Sequence, residues 1–167
     1  HFIGDRNLVS SQAAGNRKAV PGKKIDPAIC DQYLELLDST ADCPYIDIVC
    51  HLDMIKKFGA LPGPRFYDKL DPILDKISAS GKAVELNTSG LNHPAGQIYP
   101  DPEFLKKCRQ KNIPVTLASD AHRPEQVGRD FDAAVRQLQN IGYESIVGFD
   151  RKKPFETPLN STEGGDI

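Results

Sequence analysis

Pro114-Val115-Thr116-Leu117-Ala118-Ser119-Asp120-Ala121-His122-Arg123-Pro124 is the stretch on which the reading of this chain turns. Its apolar run, Val115 to Ala118, fits a buried strand. The run ends abruptly in an acid and an imidazole, Asp120 and His122. Side chains at i and i+2 of a strand point to the same side. The two are therefore expected to converge just past a strand's C-terminal end, where α/β sheets carry their chemistry. A carboxylate beside an imidazole is half of a divalent-metal site. The plainer alternative is a helix-capping aspartate next to a surface histidine.

Upstream, Ala83 to Asn87 reads as another strand, followed by the hydroxyl-rich turn Thr88-Ser89-Gly90 and an irregular loop over 91–100. Asp101-Pro102-Glu103 starts a helix ending near Asn112, with Phe104, Leu105 and Cys108 on its apolar side. Phe66, Leu70, Ile73, Leu74 and Ile77 lie on one helical face between Phe66 and Ser80. Pro72 falls inside that span, so a kinked or split helix is expected, closed by Gly81. Tyr45 to Cys50 reads as a buried strand stopping at His51-Leu52-Asp53, with a helical turn over Met54 to Phe58. Asp26-Pro27 supplies a cap and a first-turn proline for a helix from Pro27 to about Thr40. Residues 4–24 read as a long polar loop, and His1-Phe2-Ile3 as the end of a strand.

Downstream, Pro124 or Glu125 begins a long helix through Val127, Phe131, Val135, Leu138 and Ile141, closed by Gly142. Ser145 to Phe149 is a final strand, and 151–158 is a basic, proline-containing stretch. The domain spans 1–159, and 160–167 has nothing to bury and is expected to be disordered.

The elements alternate strand and helix, which calls for an α/β fold with parallel strands and helical crossovers. No glycine-rich phosphate loop follows any strand, so a barrel or part of one is favoured over a dinucleotide-binding fold. Five strands cannot close a standard barrel. The chain also begins with His1 rather than Met, as though a strand had been cut, so further sequence is expected upstream.

Bulk properties narrow the function. The 167 residues carry 26% charged and 39% hydrophobic side chains, an ordinary globular balance. A net charge of −2 argues against a nucleic-acid partner. No apolar run is long enough for a membrane span. Cys30, Cys43, Cys50 and Cys108 have no zinc-finger or paired spacing and read as reduced, mostly buried thiols. With no signal-like start, a cytoplasmic location is expected.

Three of the four histidines, His1, His51 and His122, fall at or just past strand ends. In a (β/α) barrel those positions share the C-terminal rim with Asp120. A structural histidine has no reason to prefer strand ends, so the metal-site reading gains over the capping one. His93, between Asn92 and Pro94, reads as a solvated surface histidine.

Four segments resemble the PHP (polymerase and histidinol phosphatase) superfamily, and most closely its monofunctional histidinol-phosphatase branch. They are His1-Phe2-Ile3, His51-Leu52-Asp53-Met54-Ile55-Lys56-Lys57-Phe58, Glu85-Leu86-Asn87-Thr88-Ser89-Gly90-Leu91 and Ser119-Asp120-Ala121-His122-Arg123-Pro124. The resemblance implies the C-terminal part of a distorted (β/α)7 barrel and metal-ligand roles for His1, His51, Asp120 and His122. It implies divalent ions (zinc, manganese or iron) in a trinuclear centre of the whole protein. The reaction implied is hydrolysis of L-histidinol phosphate to L-histidinol and phosphate in histidine biosynthesis, with Asp120 and His122 catalytic.

Arg123, Lys56 and Asn87 are the candidate substrate contacts. Glu85 points to the same face as Asn87 and serves equally well as a buried hydrogen-bonding partner. Asp53 is expected to support a ligand rather than bind metal, and Cys50 to point away by alternation. The family's remaining ligands have no counterpart here, so this chain alone is expected to bind metal weakly and lack activity. Asn92 stands where the family pattern has an arginine. That departure keeps open another small phosphate ester as substrate, or an incomplete binding module. The partner expected is a small phosphate ester, with homo-oligomer formation left open.

Overall fold

A computed structural model describes residues 2–3 and 6–7 as backbone and 22–159 in full. His1 as a metal ligand, most of the 4–24 loop and the 160–167 tail lie outside the described residues. Strands β1 (Phe2–Ile3) and β2 (Arg6–Asn7) pair antiparallel.

Helix α1 (Pro27–Asp42) begins as its sequence dictates. The Asp26 carboxylate accepts from the Ala28 N–H at 2.9 Å, and Pro27 occupies the first turn. The chain then alternates strand and helix: β3 (Ile48–Val49), α2 (Pro64–Ala79), β4 (Ala83–Asn87), α3 (Pro102–Gln110), β5 (Val115–Ala118), α4 (Phe131–Ile141) and β6 (Ser145–Asp150). Parallel pairing joins β3 to β4 and β4 to β5, with Val49 opposite Val84 and Glu85 opposite Thr116. The apolar faces of α1, α2 and α3 bury Leu34, Leu37, Leu70, Leu74, Phe104 and Leu105 together with Val84 and Leu86 of the sheet. The fold is mixed α/β with a three-stranded parallel sheet.

Four expectations are corrected. The strand expected over Tyr45 to Cys50 shrinks to two residues, because β4 starts opposite Ile48 and Tyr45, 82% exposed, has no strand beside it. Helix α2 neither splits nor restarts at Pro72, an exposed position inside one continuous helix. The long final helix is a 3-10 turn (Pro124–Gln126) and then α4, separated by left-handed backbone at Gly128 (φ 72°) and Asp130 (φ 63°). Val127, counted on its apolar face, is 74% exposed. Finally, β6 does not extend the parallel sheet; it forms an antiparallel hairpin with β7 (Lys153–Pro158). Pro154 and Pro158 are tolerated there because β7 is an edge strand.

Candidate active site at the strand ends

The C-terminal ends of β3, β4 and β5 lie side by side, and each leads into an irregular segment. Two of the exits use left-handed backbone without glycine: His51 has φ 60° and Asp120 φ 48°. Histidine and aspartate tolerate this region better than most residues, but such positions hold strain and cluster at functional sites.

At the β3 exit, Glu85 of β4 reaches across to His51. Its Oε2 accepts from the His51 backbone N–H at 3.1 Å and lies 3.0 Å from the ring Nδ1. A carboxylate only accepts, so Nδ1 carries the proton and the ring orientation is fixed. Burial works to raise the Glu85 carboxyl, but the His51 hydrogen bonds and charge, aided by the Asn87 amide, hold it below its ordinary value. The Tyr33 hydroxyl donates to the His51 carbonyl, clamping the turn from below.

The left-handed turn at His51 redirects the chain, so strand alternation stops there. Asp53 and Lys56 turn inward, each 1% exposed. Their side chains pair at 2.6 Å, Asp101 Oδ2 lies 3.7 Å from the ammonium, and Tyr99 presents its ring 5.7 Å away. Asp53 also accepts the Asp101 N–H at 2.8 Å. Lys56, nominated for phosphate, is placed in a sealed ion pair beneath the rim.

At the β5 exit, Asp120 and His122 stay together by a route other than strand alternation. The His122 Nδ1 lies 2.8 Å from the Asp120 carbonyl, and its backbone N–H donates to Gln126 Oε1 at 2.8 Å. A carbonyl cannot donate, so the proton sits on Nδ1 and Nε2 is the basic nitrogen of the neutral ring. Arg123 follows, exposed.

The β4 exit joins these two. Asn87 is fully buried, its Oδ1 accepting from the Ser89 N–H at 2.9 Å while its backbone pairs with Tyr99. Asn87 therefore shapes the floor of the site. Cys50, expected to point away, is exposed, and the charges of Glu85 and Asp120 reach it. Surrounding protein and those two carboxylates push its thiol up to about 11, which rules out a resting thiolate. His93, expected to be solvated, is half-buried and stacked on Tyr99, with ring centroids 6.2 Å apart and Nδ1 3.4 Å from the Tyr99 hydroxyl. Burial first, then the charges of Lys57, Arg129 and His122 against the pull of Asp120, lower it to about 4.

Lys57, buried at 7% exposure, also lies close enough to Asp120 to feel its charge. Lys57, His93 and Arg129 are the rim residues that sequence reasoning missed. The second lysine of Lys56-Lys57 was the only hint.

His51, Asp120 and His122 have the donor chemistry for a divalent metal. Among the described residues, however, no group of three or more His, Cys, Asp or Glu side chains is close enough to hold one. The described donors alone do not fit a complete metal site.

Fold and site together define an α/β protein whose polar and ionisable side chains gather at the C-terminal ends of parallel strands. Comparison with known proteins narrows that class. A protein of Deinococcus radiodurans named as a probable histidinol-phosphatase is 33% identical over 120 residues, 72% of this chain and 45% of that protein. The histidinol-phosphatase of Bacillus subtilis is 39% identical over 90 residues, 51% of this chain and 34% of its own length. In three dimensions, a proposed histidinol phosphatase of Listeria monocytogenes superposes with a TM-score of 0.58 at 22% identity, over 62% of this chain and 43% of that one. That likeness bears on the fold alone. No family model matches the chain. The chain is similar to histidinol-phosphatases over much of its own length and spans less than half the length of these relatives.

Proposed function

We propose that the whole protein is a phosphoric monoester hydrolase that converts L-histidinol phosphate and water to L-histidinol and phosphate, in histidine biosynthesis. The observation that carries the reading is the 33% identity to the Deinococcus protein over 72% of this chain. The gathering of His51–Glu85, Asp120 and His122 at adjacent strand ends supports it. Ester hydrolysis needs a positioned water and neutralisation of charge developing on the phosphoryl oxygens. In this reading Glu85 orients the His51 ring, and Asp120 and His122 stand at the reacting phosphate with Asn87 as the floor.

Divalent metal ions, zinc, manganese or iron, belong to the proposal as cofactors of the whole protein. Such ions would bind phosphate oxygens and acidify a bound water. The three-stranded sheet belongs in this reading to a distorted (β/α)7 barrel, and the location is cytoplasmic. No helix among the described residues is long and apolar enough to cross a membrane.

A second reading keeps the chemistry and changes the substrate to another small phosphate ester. The Asn92 side chain favours it, since its amide is committed to Asp130 at 3.1 Å. Phosphate release by the full-length protein across a panel of sugar, nucleotide and amino-alcohol phosphates separates the two. Highest kcat/KM for histidinol phosphate supports the first reading, and preference for another ester overturns it.

A further inference from the structure

Arg129 has no part in the roles assigned so far, yet the fold spends several contacts on placing it. It follows Gly128 in the segment between the 3-10 turn and α4. Two hydrogen bonds fold that segment over the end of β5. The Gly128 N–H donates to Ser119 Oγ at 3.2 Å, and the Thr88 hydroxyl donates to the Arg129 carbonyl at 2.7 Å while lying 3.4 Å from the Ala118 carbonyl. Arg129 is thereby tethered beside the Asp120 turn.

Its side chain is 33% exposed and only loosely held: Nε lies 3.7 Å from Asp130 Oδ2. Asp130 is itself braced by the Asn92 amide at 3.1 Å. The guanidinium makes no hydrogen bond among the described residues, and Asp130 is its ion-pair partner there. A planar fork of N–H donors is thus left over, a shape that matches two oxygens of a phosphate.

The loop over 88–99 completes the surroundings. Thr88 and Asn92 tie it to Arg129 and Asp130, and the Ala95 N–H ties it to the Lys57 carbonyl at 3.3 Å. His93 sits between these ties on the Tyr99 ring, and the charges of Lys57, Arg129, His122 and Asp120 all act on it. Lys57 and Arg129 are therefore near enough to His93 for their charges to reach it together with those of Asp120 and His122. The two residues first nominated for phosphate are less suited. Lys56 is engaged by Asp53, and exposed Arg123 has no side-chain polar contact to hold it among the described residues.

We propose that Arg129 is a substrate-binding residue, its guanidinium gripping the phosphoryl group of the ester at the Asp120–His122 rim, with His93 on Tyr99 as the adjoining wall. This rests on the phosphatase reading above. A guanidinium–phosphate pair is a charge-assisted, bidentate contact, so its loss weakens phosphate by about tenfold to hundredfold.

The test uses the full-length protein, Arg129→Met and Arg129→Lys, with Arg123→Met for comparison. Inorganic phosphate is the probe. Its Kd is read by calorimetry, independently of activity, and its Ki from inhibition of hydrolysis. Arg129→Met is expected to weaken both by about tenfold or more and to raise KM by a similar factor with kcat changed less. Arg129→Lys should recover only part of this, because a point charge lacks the fork. Arg123→Met should change phosphate binding by less than about threefold. Equal phosphate binding by wild type and Arg129→Met overturns the inference, as does wild-type protein that binds no phosphate. Should the wild type release no phosphate from any monoester, the phosphatase reading falls. The calorimetric comparison still decides the role of Arg129.

Discussion

Two side-chain pairs involve residues that follow the same short strand, β3, and meet opposite fates. His51 pairs with Glu85 where the ring remains part-exposed at the rim, whereas Asp53 and Lys56 pair in a site that excludes water. Tyr99 lies beside the sealed pair, its ring 5.7 Å from the Lys56 ammonium, and His93 also stacks on it. The difference lies in the backbone. Left-handed geometry at His51 ends strand alternation, so an acid two residues on goes down instead of up. The open pair has charge to offer a ligand, and the sealed pair has its charge already neutralised. A buried pair of this kind adds little net stability but is costly to break.

The largest expected effect breaks the sealed pair. Lys56→Met leaves the Asp53 carboxylate buried without its cation and should cost about 3–5 kcal/mol, read by denaturant unfolding. Loss under about 1 kcal/mol would mean that water reaches Asp53 and that the two pairs are not distinct.

Next comes the Tyr99 ring, which touches both Lys56 and His93. A Cβ at Gly90 would lie 2.0 Å from the Gln97 carbonyl and 2.8 Å from the Tyr99 ring. Gly90→Ala should therefore destabilise by about 1–3 kcal/mol and perturb both the His93 and Lys56 surroundings. A neutral substitution would show that Tyr99 is not a fixed wall.

Glu85→Gln probes the open pair. It keeps the shape but removes the carboxylate that orients His51, and activity of the full-length protein should fall about tenfold to hundredfold. The companion check is acid stability. Because the folded Glu85 carboxyl sits below its ordinary value, its contribution is present above the unfolded pKa and is lost as pH falls through the lower folded one. Glu85→Gln should flatten that acid limb.

The smallest effect concerns His93. Its ring should titrate near 4 by NMR rather than near 6.5. The unfolded chain then takes up the proton first as pH falls from about 6.5 to 4, so acidification across that window removes stability. His93→Gln should lessen the slope there. A measured pKa at the ordinary value would return His93 to the solvated surface.

Much of this was legible in order but not in depth. Strands β4 and β5 could be bounded from the sequence because short apolar runs end in polar turn residues. The site residues His51, Asp120 and His122 stood out because imidazoles and acids interrupt apolar runs at equivalent places. Four things were hidden. Left-handed turns at histidine and aspartate carry no glycine to announce them. The burial of Lys56 depends on Asp101, far along the chain. The convergence of Lys57, His93 and Arg129 is made by long-range hydrogen bonds from Thr88, Asn92 and Ala95, which no periodicity encodes. The β7 strand was masked by its prolines, acceptable only at an edge.

The central claim is that the open strand-end site hydrolyses a phosphate monoester in the whole protein. Asp120→Asn tests it most directly, because asparagine tolerates the left-handed backbone at that position while removing the charge. Phosphate release from histidinol phosphate by the full-length protein is the measurement. The account predicts robust release by wild type and loss of about a hundredfold or more in a folded Asp120→Asn variant. Undiminished release by that variant, or none by the wild type, would contradict it.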